Sequence, residues 1–271
     1  MADQFPHLPR TKAHLIKGLL ERKRARDQEQ AFVIEGACPI VELLRQQSPA
    51  LALIALSRRF AEKQPSDVLR LLLHSHAPVY ELDDHLFERL SDVESTQGIL
   101  AVVRKPLWSE RAIWDQPDVF GLFGDQIQDP GNVGTLIRIA AAFGVSALWL
   151  TRGSADVFSP KIIRATAGAV LRLPIFHCLG PEVFPEHECT LLAAATSSSG
   201  AISLRDIRSI PRRAILAVGN ESRGLAKATL DAAALRFHIP IEKEVESLNV
   251  AAAAAISLFV LSGLPREPYA G

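Results

Sequence analysis

Three polar loops in the second half of the chain each connect a hydrophobic, strand-like run to a helix-like run. They span residues 129–140 (DPGNVGTLIRIA), 219–225 (GNESRGL) and 239–250 (IPIEKEVESLNV). A repeated strand–loop–helix order is typical of an open α/β sheet, which binds ligands outside the carboxyl ends of its strands. Backbone N–H groups at helix N-termini are free to bind a ligand there. The pattern therefore predicts that the three loops form one site.

The three loops resemble, in order and spacing, the motifs of the SpoU (TrmH-type) family of RNA ribose 2′-O-methyltransferases. The family motifs read approximately Asn/Asp-Pro-x-Asn-x-Gly-x-x-x-Arg-x-Ala, then Gly-x-Glu-x-x-Gly-Leu, then Ile-Pro-Met with a short loop and Ser-Leu-Asn-Val. This chain departs from them once, with Ile241 in place of methionine. Four segments of the first half resemble the substrate-binding domain of the family: residues 16–17, 22–24, 32–36 and 95–99.

The hydrophobic pattern predicts an α/β chain with two domains. In the first half the predicted strands are 30–35, 51–56, 79–82 and 99–103, and the predicted helices are 40–47, 67–74 and 84–90. In the second half the predicted strands are 119–123, 147–151, 191–195, 214–218 and 236–241, and the predicted helices are 133–143, 161–169 and 249–261. Lys105-Pro106 and Gln116-Pro117 bracket a connection between the domains, because proline interrupts both strands and helices.

We therefore expect an N-terminal RNA substrate-binding domain at residues 1–105, a linker at 106–117 and a methyltransferase domain at 118–271. The RNA-binding and methyltransferase assignments come from the resemblance. The second domain should contain a parallel sheet, because its strands and helices alternate. The resemblance further implies that its C-terminal chain passes through a loop to form a trefoil knot. The pattern alone would not suggest a knot, since threaded chains are rare.

The resemblance implies methyl transfer from S-adenosylmethionine to a ribose hydroxyl. A hydroxyl is a poor nucleophile, and a nearby guanidinium can stabilise the alkoxide that forms as it attacks. Arg138 matches the catalytic arginine of the family. The other catalytic residues that the resemblance implies are Asn132, Glu221, Ser247 and Asn249. Asn132 would orient Arg138 or the RNA backbone, and Glu221 would pair with Arg138 or contact RNA.

Each of these residues also has a purely structural interpretation. Asn132, Ser247 and Asn249 can cap helix N-termini, and Glu221 can accept hydrogen bonds from its own turn. Arg138 can form an ordinary ion pair on a helix surface. However, its neighbours along the helix are apolar, so we expect the helix to be largely buried. A buried charge requires a specific partner, which favours a functional role for Arg138.

The cofactor site that the resemblance implies is formed mostly by backbone groups at strand ends and loops. Its predicted residues are Ala195, Thr196, Val218, Gly219, Ile239, Pro240, Ile241 and Leu248. The adenine would lie between apolar side chains, while carbonyl and N–H groups read its edge. Lys243 stands where family members often carry glycine. If that position needs a positive φ, we expect strain or a different loop path.

Basic residues are concentrated near the N-terminus, although the net charge of the chain is zero. Seven of them lie between Arg10 and Arg26, against one acid, Glu21. Such a stripe can release phosphate counterions on binding RNA, and it is equally compatible with a solvated helix face. The predicted RNA-binding residues are Lys17, Arg22, Lys23, Arg24 and, by the resemblance, Arg164.

Together these observations predict a cytoplasmic, S-adenosylmethionine-dependent RNA (ribose-2′-O)-methyltransferase that acts on large-subunit rRNA. Three scattered cysteines indicate a reducing compartment. We expect no metal site and no membrane segment, because the longest apolar run, residues 250–261, is shorter than the ~20 residues of a membrane span. That run predicts a buried helix suited to a homodimer interface, and the family implies the dimer.

Three other functions are compatible with parts of the pattern. The first is a methyltransferase of the same superfamily that acts on tRNA or on a base nitrogen. The second is a non-catalytic RNA-binding protein, although a pure binder has no need of all five polar residues proposed for catalysis. The third is a dinucleotide oxidoreductase, which lacks its glycine fingerprint here.

Overall fold

A computed structural model describes residues 5–93, 95–196, 200–242 and 244–267. Lys243, and with it the expectation about its loop, lies outside the described residues. The α-helices are α1 (Arg10–Glu21), α2 (Lys23–Gln28), α3 (Ala37–Arg45), α4 (Arg58–Lys63), α5 (Ser66–Leu73), α6 (Asp84–Leu90), α7 (Glu110–Trp114), α8 (Pro130–Ala142), α9 (Pro160–Thr166), α10 (Val183–Glu186), α11 (Lys227–Ala232) and α12 (Val250–Ser262). The strands are β1 (Ala31–Glu35), β2 (Leu51–Ser57), β3 (Val79–Leu82), β4 (Ile99–Arg104), β5 (Val119–Asp125), β6 (Leu148–Thr151), β7 (Ile175–Cys178), β8 (Thr190–Ala194), β9 (Ile202–Ser203), β10 (Ile210–Pro211), β11 (Arg213–Gly219), β12 (Leu235–His238) and β13 (Arg266–Glu267).

The first compact unit comprises Met1–Leu107 together with Phe158–Gly168. Its sheet has the order β1-β4-β2-β3, in which β4 is antiparallel to both neighbours and β2 is parallel to β3. Ile16 and Leu19 of α1 and Phe87 of α6 are fully buried in the core beneath this sheet. Helix α9 belongs to this unit and packs against β1.

The second compact unit comprises Trp108–Val157 and Ala169–Gly271. Its main sheet has the order β7-β6-β5-β11-β8-β12-β9, and every neighbouring pair is parallel. All seven residues of β5 are buried, as expected for a central strand covered on both faces. A Cβ at Gly121 of this strand would lie 2.5 Å from Ile215 Cδ1 on β11 and 2.6 Å from Trp149 Cζ3 on β6, so a larger residue would displace these side chains.

The α/β fold class with a parallel sheet in the C-terminal unit is confirmed, and most element positions agree with the predicted ones. Helix α8 begins three residues before the predicted start because Asp129 caps it and Pro130 occupies its first turn. Strand β12 ends at His238, not at residue 241, because Pro240 cannot donate to a sheet ladder. The short strand β7 was not predicted. The trefoil knot stays a prediction.

The predicted domain boundaries at residues 105 and 118 also stay predictions. The two compact units meet in the chain at Leu107 and Trp108, within the predicted linker. The sequence did not predict that Phe158–Gly168 would group with the first unit, because a helical period in this segment does not specify the sheet that the helix covers.

Helix α12, for which the sequence predicts a buried helix suited to a homodimer interface, is only partly buried within its own unit. Leu258 and Leu261 are fully buried, whereas Ile256 is 40% and Phe259 is 70% exposed. The helix therefore presents one apolar face to its own unit and a second apolar face outward. None of the helices in the described ranges combines the length and hydropathy needed to cross a lipid bilayer.

Candidate active site

The predicted site loops follow neighbouring strands of the second-unit sheet. Strands β5 and β11 are parallel, and their last residues, Asp125 and Gly219, are partners in register. The loops that follow these strands therefore start side by side. Strand β12 is separated from β11 only by β8, so the loop after His238 lies along the same carboxyl edge. Open α/β sheets bind ligands at this edge.

The first loop turns directly into α8. The Asp129 carboxylate accepts a hydrogen bond from the Asn132 backbone N–H at 2.9 Å, which makes Asp129 the N-cap of the helix. Asn132 was a candidate for that cap, but the structure gives the role to Asp129. The side-chain amide of Asn132 is consequently available for contacts with other loops.

The Asn132 side chain joins the three loops. Its Nδ2 donates to Glu221 Oε1 at 2.8 Å, and its Oδ1 accepts from Asn249 Nδ2 at 2.8 Å. These partners are 89 and 117 residues away along the chain. One amide therefore holds residues from all three motifs within hydrogen-bond distance of one another.

Asn249 is the helix cap that the sequence allowed, and it also contacts Asn132. Its Oδ1 accepts from the Ala251 and Ala252 backbone N–H groups at 2.9 and 3.3 Å, so it caps α12. Its Nδ2 at the same time donates to Asn132. The cap fixes the orientation of the amide, and the amide in turn positions Asn132.

The second loop is a closed turn from Asn220 to Gly224. The backbone N–H groups of these two residues each donate to the other's carbonyl oxygen at 2.9 Å. The Asn220 side chain accepts from the Ser222 and Arg223 N–H groups and donates to the Gln126 carbonyl oxygen at 2.8 Å. The turn therefore presents Glu221 at the exposed rim, facing Asn132.

Gly219 permits this turn to fold back on its own strand. A Cβ at Gly219 would collide with the Gly224 carbonyl carbon and the Leu225 nitrogen. Residue 219 must therefore be glycine for the loop to close. This packing requirement is independent of the cofactor contact that the resemblance implies.

Two residues that support the site were missed at the sequence level. Asp125 is 3% exposed, and its Oδ2 accepts from the Ala226 N–H at 2.9 Å and from Thr229 Oγ1 at 2.7 Å. It ties the start of α11 to the end of β5. Asn220 orders the Glu221 turn. Two features of the sequence could have identified them. Asp125 is an acid at the end of an apolar strand, and Asn220 precedes polar turn residues, a pattern typical of Asx turns.

Arg138 is exposed, contrary to the prediction that it lies on a largely buried helix. Helix α8 buries Val133, Leu136, Ile137 and Ala140, which share one face, while Thr135 and Arg138 lie on the outer face. No described residue forms a hydrogen bond or an ion pair with the Arg138 guanidinium. It is free to bind a ligand from solvent.

Ser247 and Leu248 precede the α12 cap. Ser247 is exposed and Leu248 is half-buried. Ser247 is not the cap of α12, because Asn249 fills that position. Ser247 is two residues before Asn249, whose side chain donates to Asn132.

The predicted cofactor residues lie at the ends of three adjacent strands. Val218 and Gly219 end β11, Ala195 and Thr196 follow β8, and residues 239–241 follow β12, in the sheet order β11-β8-β12. Ile241 is 39% exposed and Val245 of the same loop is 47% exposed. Apolar side chains left uncovered at this edge, beside backbone groups of strand ends, fit a ligand with an aromatic ring and a polar edge.

The predicted RNA-binding residues lie in the first unit. Lys17, Arg22, Lys23 and Arg24 are exposed on α1, on α2 or between them. Arg26 of the same stripe is buried, and its Nη1 donates to the Leu19 carbonyl oxygen at 2.6 Å, near the C-terminal end of α1. It is thus a structural residue.

Arg164 was also predicted to bind RNA. Its guanidinium Nη1 donates to Asp92 Oδ2 at 2.9 Å within the first unit, and both side chains remain partly exposed. The ion pair with Asp92 is a structural role for Arg164, and RNA would have to compete with Asp92 for the guanidinium.

Comparison with known families identifies two matching regions. Residues 120–259 match the SpoU rRNA Methylase family, and residues 12–101 match the MRM3-like substrate binding domain. The first region contains all three loops. The second contains Lys17, Arg22, Lys23 and Arg24.

Individual relatives match over nearly the whole chain. A 23S rRNA (guanosine(2553)-2′-O)-methyltransferase of Bacillus subtilis, RlmP, is 31% identical over 90% of this chain and 93% of its own length. A 23S rRNA (uridine(2479)-2′-O)-methyltransferase of Streptomyces viridochromogenes is 27% identical over 90% of this chain and 86% of its own. The solved structure of an AdoMet-bound rRNA methyltransferase from Sinorhizobium meliloti is 25% identical and superposes with a TM-score of 0.79, covering 94% of this chain and 95% of that one.

Proposed function

Because this chain belongs to the SpoU rRNA methylase family, we propose that it transfers a methyl group from S-adenosylmethionine to a ribose 2′-hydroxyl of large-subunit rRNA. The single observation that carries the proposal is the hydrogen-bonded contact of Asn132 with Glu221 and Asn249. It brings the three motif loops together beside the exposed Arg138. The two relatives named above that methylate 23S rRNA support the large subunit as the substrate.

The residues at the carboxyl edge fit the cofactor. S-adenosylmethionine, when bound, supplies an activated methyl group on a sulfonium. Backbone groups of Ala195, Thr196, Val218 and Gly219, at the ends of two adjacent strands, would hold its polar atoms. Ile239, Pro240, Ile241 and Leu248 would cover its adenine, and the exposed apolar surface of Ile241 supports this role.

Arg138 is the residue proposed to act on the hydroxyl. Its guanidinium stays charged at any working pH, has five N–H donors, and has no described partner to displace. When RNA binds, Arg138 would hold the 2′-oxygen and stabilise its developing negative charge. A planar fork can at the same time bond a second acceptor, such as a phosphate or the free oxygen of Glu221.

Asn132, Glu221 and Asn249 are proposed to position this chemistry. Asn132 uses its Nδ2 on Glu221 and its Oδ1 on Asn249, so its role is to orient the Glu221 carboxylate. Glu221 keeps its second oxygen for Arg138 or RNA. Ser247 is exposed two residues before Asn249 and is suited to donate to the ribose or to its phosphate.

RNA affinity is proposed to come from the first unit. Lys17, Arg22, Lys23 and Arg24 are exposed there. Among the described residues, Lys17 pairs only with Glu21, in a long surface ion pair at 3.8 Å. Surface ion pairs of this kind contribute little stability and are easily exchanged for a phosphate. Arg164 would contribute only if RNA displaced Asp92 from it.

A homodimer through the C-terminal unit is proposed from the outer face of α12. Ile256 and Phe259 are exposed there, and Phe143 after α8 contacts the Phe259 ring at 6.4 Å between centroids. Exposed apolar side chains grouped on one face mark interaction sites. Sedimentation should give a dimer for the parent and for Leu86→Asp, which adds the same charge at an exposed leucine of the first unit. Phe259→Asp should give a monomer, and a dimeric Phe259→Asp would reject this interface.

The cytoplasm is the proposed site of action. Cys38, Cys178 and Cys189 are free thiols in the structure, which suits a reducing compartment.

The decisive experiment is the mapping of ribose methylation. Protein-free large-subunit rRNA should acquire one 2′-O-methyl group when incubated with the protein and S-adenosylmethionine. The same nucleotide should lose its methyl group in cells that lack the gene. Methylation confined to tRNA would overturn the proposed substrate. Methylation on a base nitrogen would overturn the ribose as the acceptor. An absence of transfer to any RNA would favour a binding protein.

A further inference from the structure

We propose that a small pocket in the first unit binds one unpaired nucleobase of the rRNA, outside the methyl-transfer site. This inference rests on the proposed function, since it assumes that the ligand of the chain is RNA. The pocket lies where β2 and β3 end, between α4, α6 and residues 96–98. Its volume is about 140 Å³. A cavity of roughly 150 Å³ holds a benzene ring, so the pocket has the size of one aromatic ring.

A tight backbone contact gives the pocket its shape. The Ser57 N–H donates to the Gly98 carbonyl oxygen at 2.8 Å, and Ser57 Oγ accepts from the Phe60 N–H at 3.1 Å. Gly98 has φ +79°, and a Cβ there would lie 2.5 Å from Ser57 Oγ. Glycine is therefore required, and the wall formed by residues 96–98 is held against α4.

The lining combines aromatic residues with polar ones. Phe60 and Phe87 both contribute to it, and Phe60 is 6% exposed whereas Phe87 is fully buried. Gln64, Thr96 and Gln97 are polar residues of the lining. Gln97 Oε1 accepts from the Ala37 N–H at 2.8 Å, which fixes the direction of its amide group. Unpaired RNA bases are recognised by contacts with aromatic side chains and by hydrogen bonds to the edges of the bases.

The charges of the lining favour a base over a phosphate. Arg59 is held by Asp84, with its backbone N–H 2.9 Å from one carboxylate oxygen and its Nε 3.4 Å from the other. Lys63 and Glu88 also line the pocket and carry opposite charges. The formal charges of these four side chains cancel, so the lining offers an anion no net attraction. A neutral base with donors and acceptors on its edge matches such a site.

Helix α6 connects the pocket to helix α1, which carries part of the proposed RNA surface. Helix α6 supplies Asp84, Phe87 and Glu88 to the lining, and its Phe87 packs in the same core as Ile16 and Leu19 of α1. Helix α1 carries the exposed Lys17. An RNA strand whose phosphates lie along α1 could therefore place a splayed base against α6.

Filling the pocket tests the proposal. Gln64→Trp puts an indole in the lining, and Gln46→Trp is the matched control, since both glutamines are helix C-caps of the first unit and Gln46 is outside the lining. Binding of protein-free large-subunit rRNA should weaken about tenfold in Gln64→Trp, the scale of one lost base contact, and stay at the parental value in Gln46→Trp. Equal affinities for the two variants would overturn the proposal.

A second pair of variants tests the pocket even if Gln64→Trp does not fold. Glu88→Ala and Glu62→Ala each remove one exposed carboxylate, but only Glu88 lines the pocket. Loss of an acid alone should tighten RNA binding slightly, as expected for Glu62→Ala. Glu88→Ala should instead bind severalfold more weakly, because the base loses an acceptor. Tighter binding by both variants would overturn the proposal.

Photo-crosslinking separates this inference from the proposed function. Large-subunit rRNA transcribed with 4-thiouridine or 6-thioguanosine should crosslink to residues 57–64, 84–88 or 96–98 of the parent, and not of Gln64→Trp. Crosslinks confined to α1 and α2 would overturn the pocket while methyl transfer by the parent still supports the enzyme. A parent that crosslinks at the pocket yet methylates no RNA would leave the base site supported and the proposed function rejected.

Discussion

The Asn132 Nδ2 donates to Glu221 Oε1 at 2.8 Å, and this bond joins two loops that are 89 residues apart in the chain. The same side chain accepts from Asn249, so one amide bridges all three motif loops. A network held at its centre by one residue should fail as a unit when that residue is removed.

Replacing Asn132 with alanine should therefore lower the rate of methyl transfer by about 100-fold, the scale of one lost transition-state interaction. Glu221 would lose the donor that orients it. The affinity for S-adenosylmethionine should change less than the rate, because none of the proposed cofactor contacts is made by Asn132 or by another residue of the first loop. Single-turnover transfer to large-subunit rRNA and separate cofactor calorimetry measure the two effects. Thr135→Ala, on the exposed face of the same helix, is the control and should keep the parental rate. A parental rate in Asn132→Ala would make the network incidental.

Arg138→Lys should reduce the transfer rate by at least about 100-fold while leaving the thermal midpoint unchanged. Lysine keeps the charge but not the planar fork that holds two acceptors. Stability should be unaffected, because Arg138 is exposed on α8. Arg111→Lys, a change at an arginine side chain that is 89% exposed on α7, is the matched control for both measurements. A variant that transfers methyl groups as fast as the parent would remove Arg138 from the mechanism.

Asp125→Ala should destabilise the second unit by about 1–3 kcal/mol. The change leaves the Ala226 N–H and the buried Thr229 hydroxyl without the acceptor they share. Urea unfolding, monitored by a spectroscopic probe located in the second unit, measures the loss of stability. Asp118→Ala is the control, because its ion pair with Arg212 is exposed and long, at 3.7 Å. A smaller effect for Asp125 than for Asp118 would contradict the supporting role assigned to the buried carboxylate.

Thiol labelling should distinguish Cys38 from Cys178. Burial, with smaller effects from the carboxylates of Glu110, Glu182 and Asp125, raises the pKa of the Cys178 thiol to about 12. The thiolate is the reactive form of cysteine. Cys178 should therefore stay protonated and unreactive between pH 7 and pH 9, because even pH 9 is roughly three units below its pKa. Burial also raises the pKa of Cys189. Iodoacetamide should label only the exposed Cys38 in the native protein and all three thiols in urea. Early labelling of Cys178 would show that β7 opens.

Replacing Arg22, Lys23 and Arg24 together with alanine should weaken rRNA binding and flatten its dependence on salt. Three lost phosphate contacts should lower the slope of log binding constant against log salt concentration by about 2, at roughly 0.7 per contact for single-stranded RNA. Cofactor affinity should not change. Arg26→Ala should instead lower the stability of the protein. In the parent, the Arg26 guanidinium donates to backbone carbonyls near the C-terminal end of α1. An unchanged salt slope in the triple variant would reduce the stripe to a solvated helix face.

The sequence by itself determined the elements that local rules control. The α/β order, the positions of the main strands and the three loops followed from hydrophobic period and from turn residues, and the motifs identified the family. These features depend on residues close together in the chain, so they can be read without knowing what each element packs against. Asn249 as a helix cap belongs to this class.

Only the tertiary structure decided which faces and which distant side chains meet. Arg138 was predicted to be buried because its neighbours are apolar, yet the face that α8 buries is the one carrying Leu136 and Ile137. The bonds from Asn132 to Glu221 and Asn249 exist because β5 and β11 are adjacent and parallel, while α12 packs against α8. The buried Asp125, the pocket beside Gly98 and the outward Phe259 likewise depend on packing between segments distant in the chain, which a one-dimensional pattern does not record.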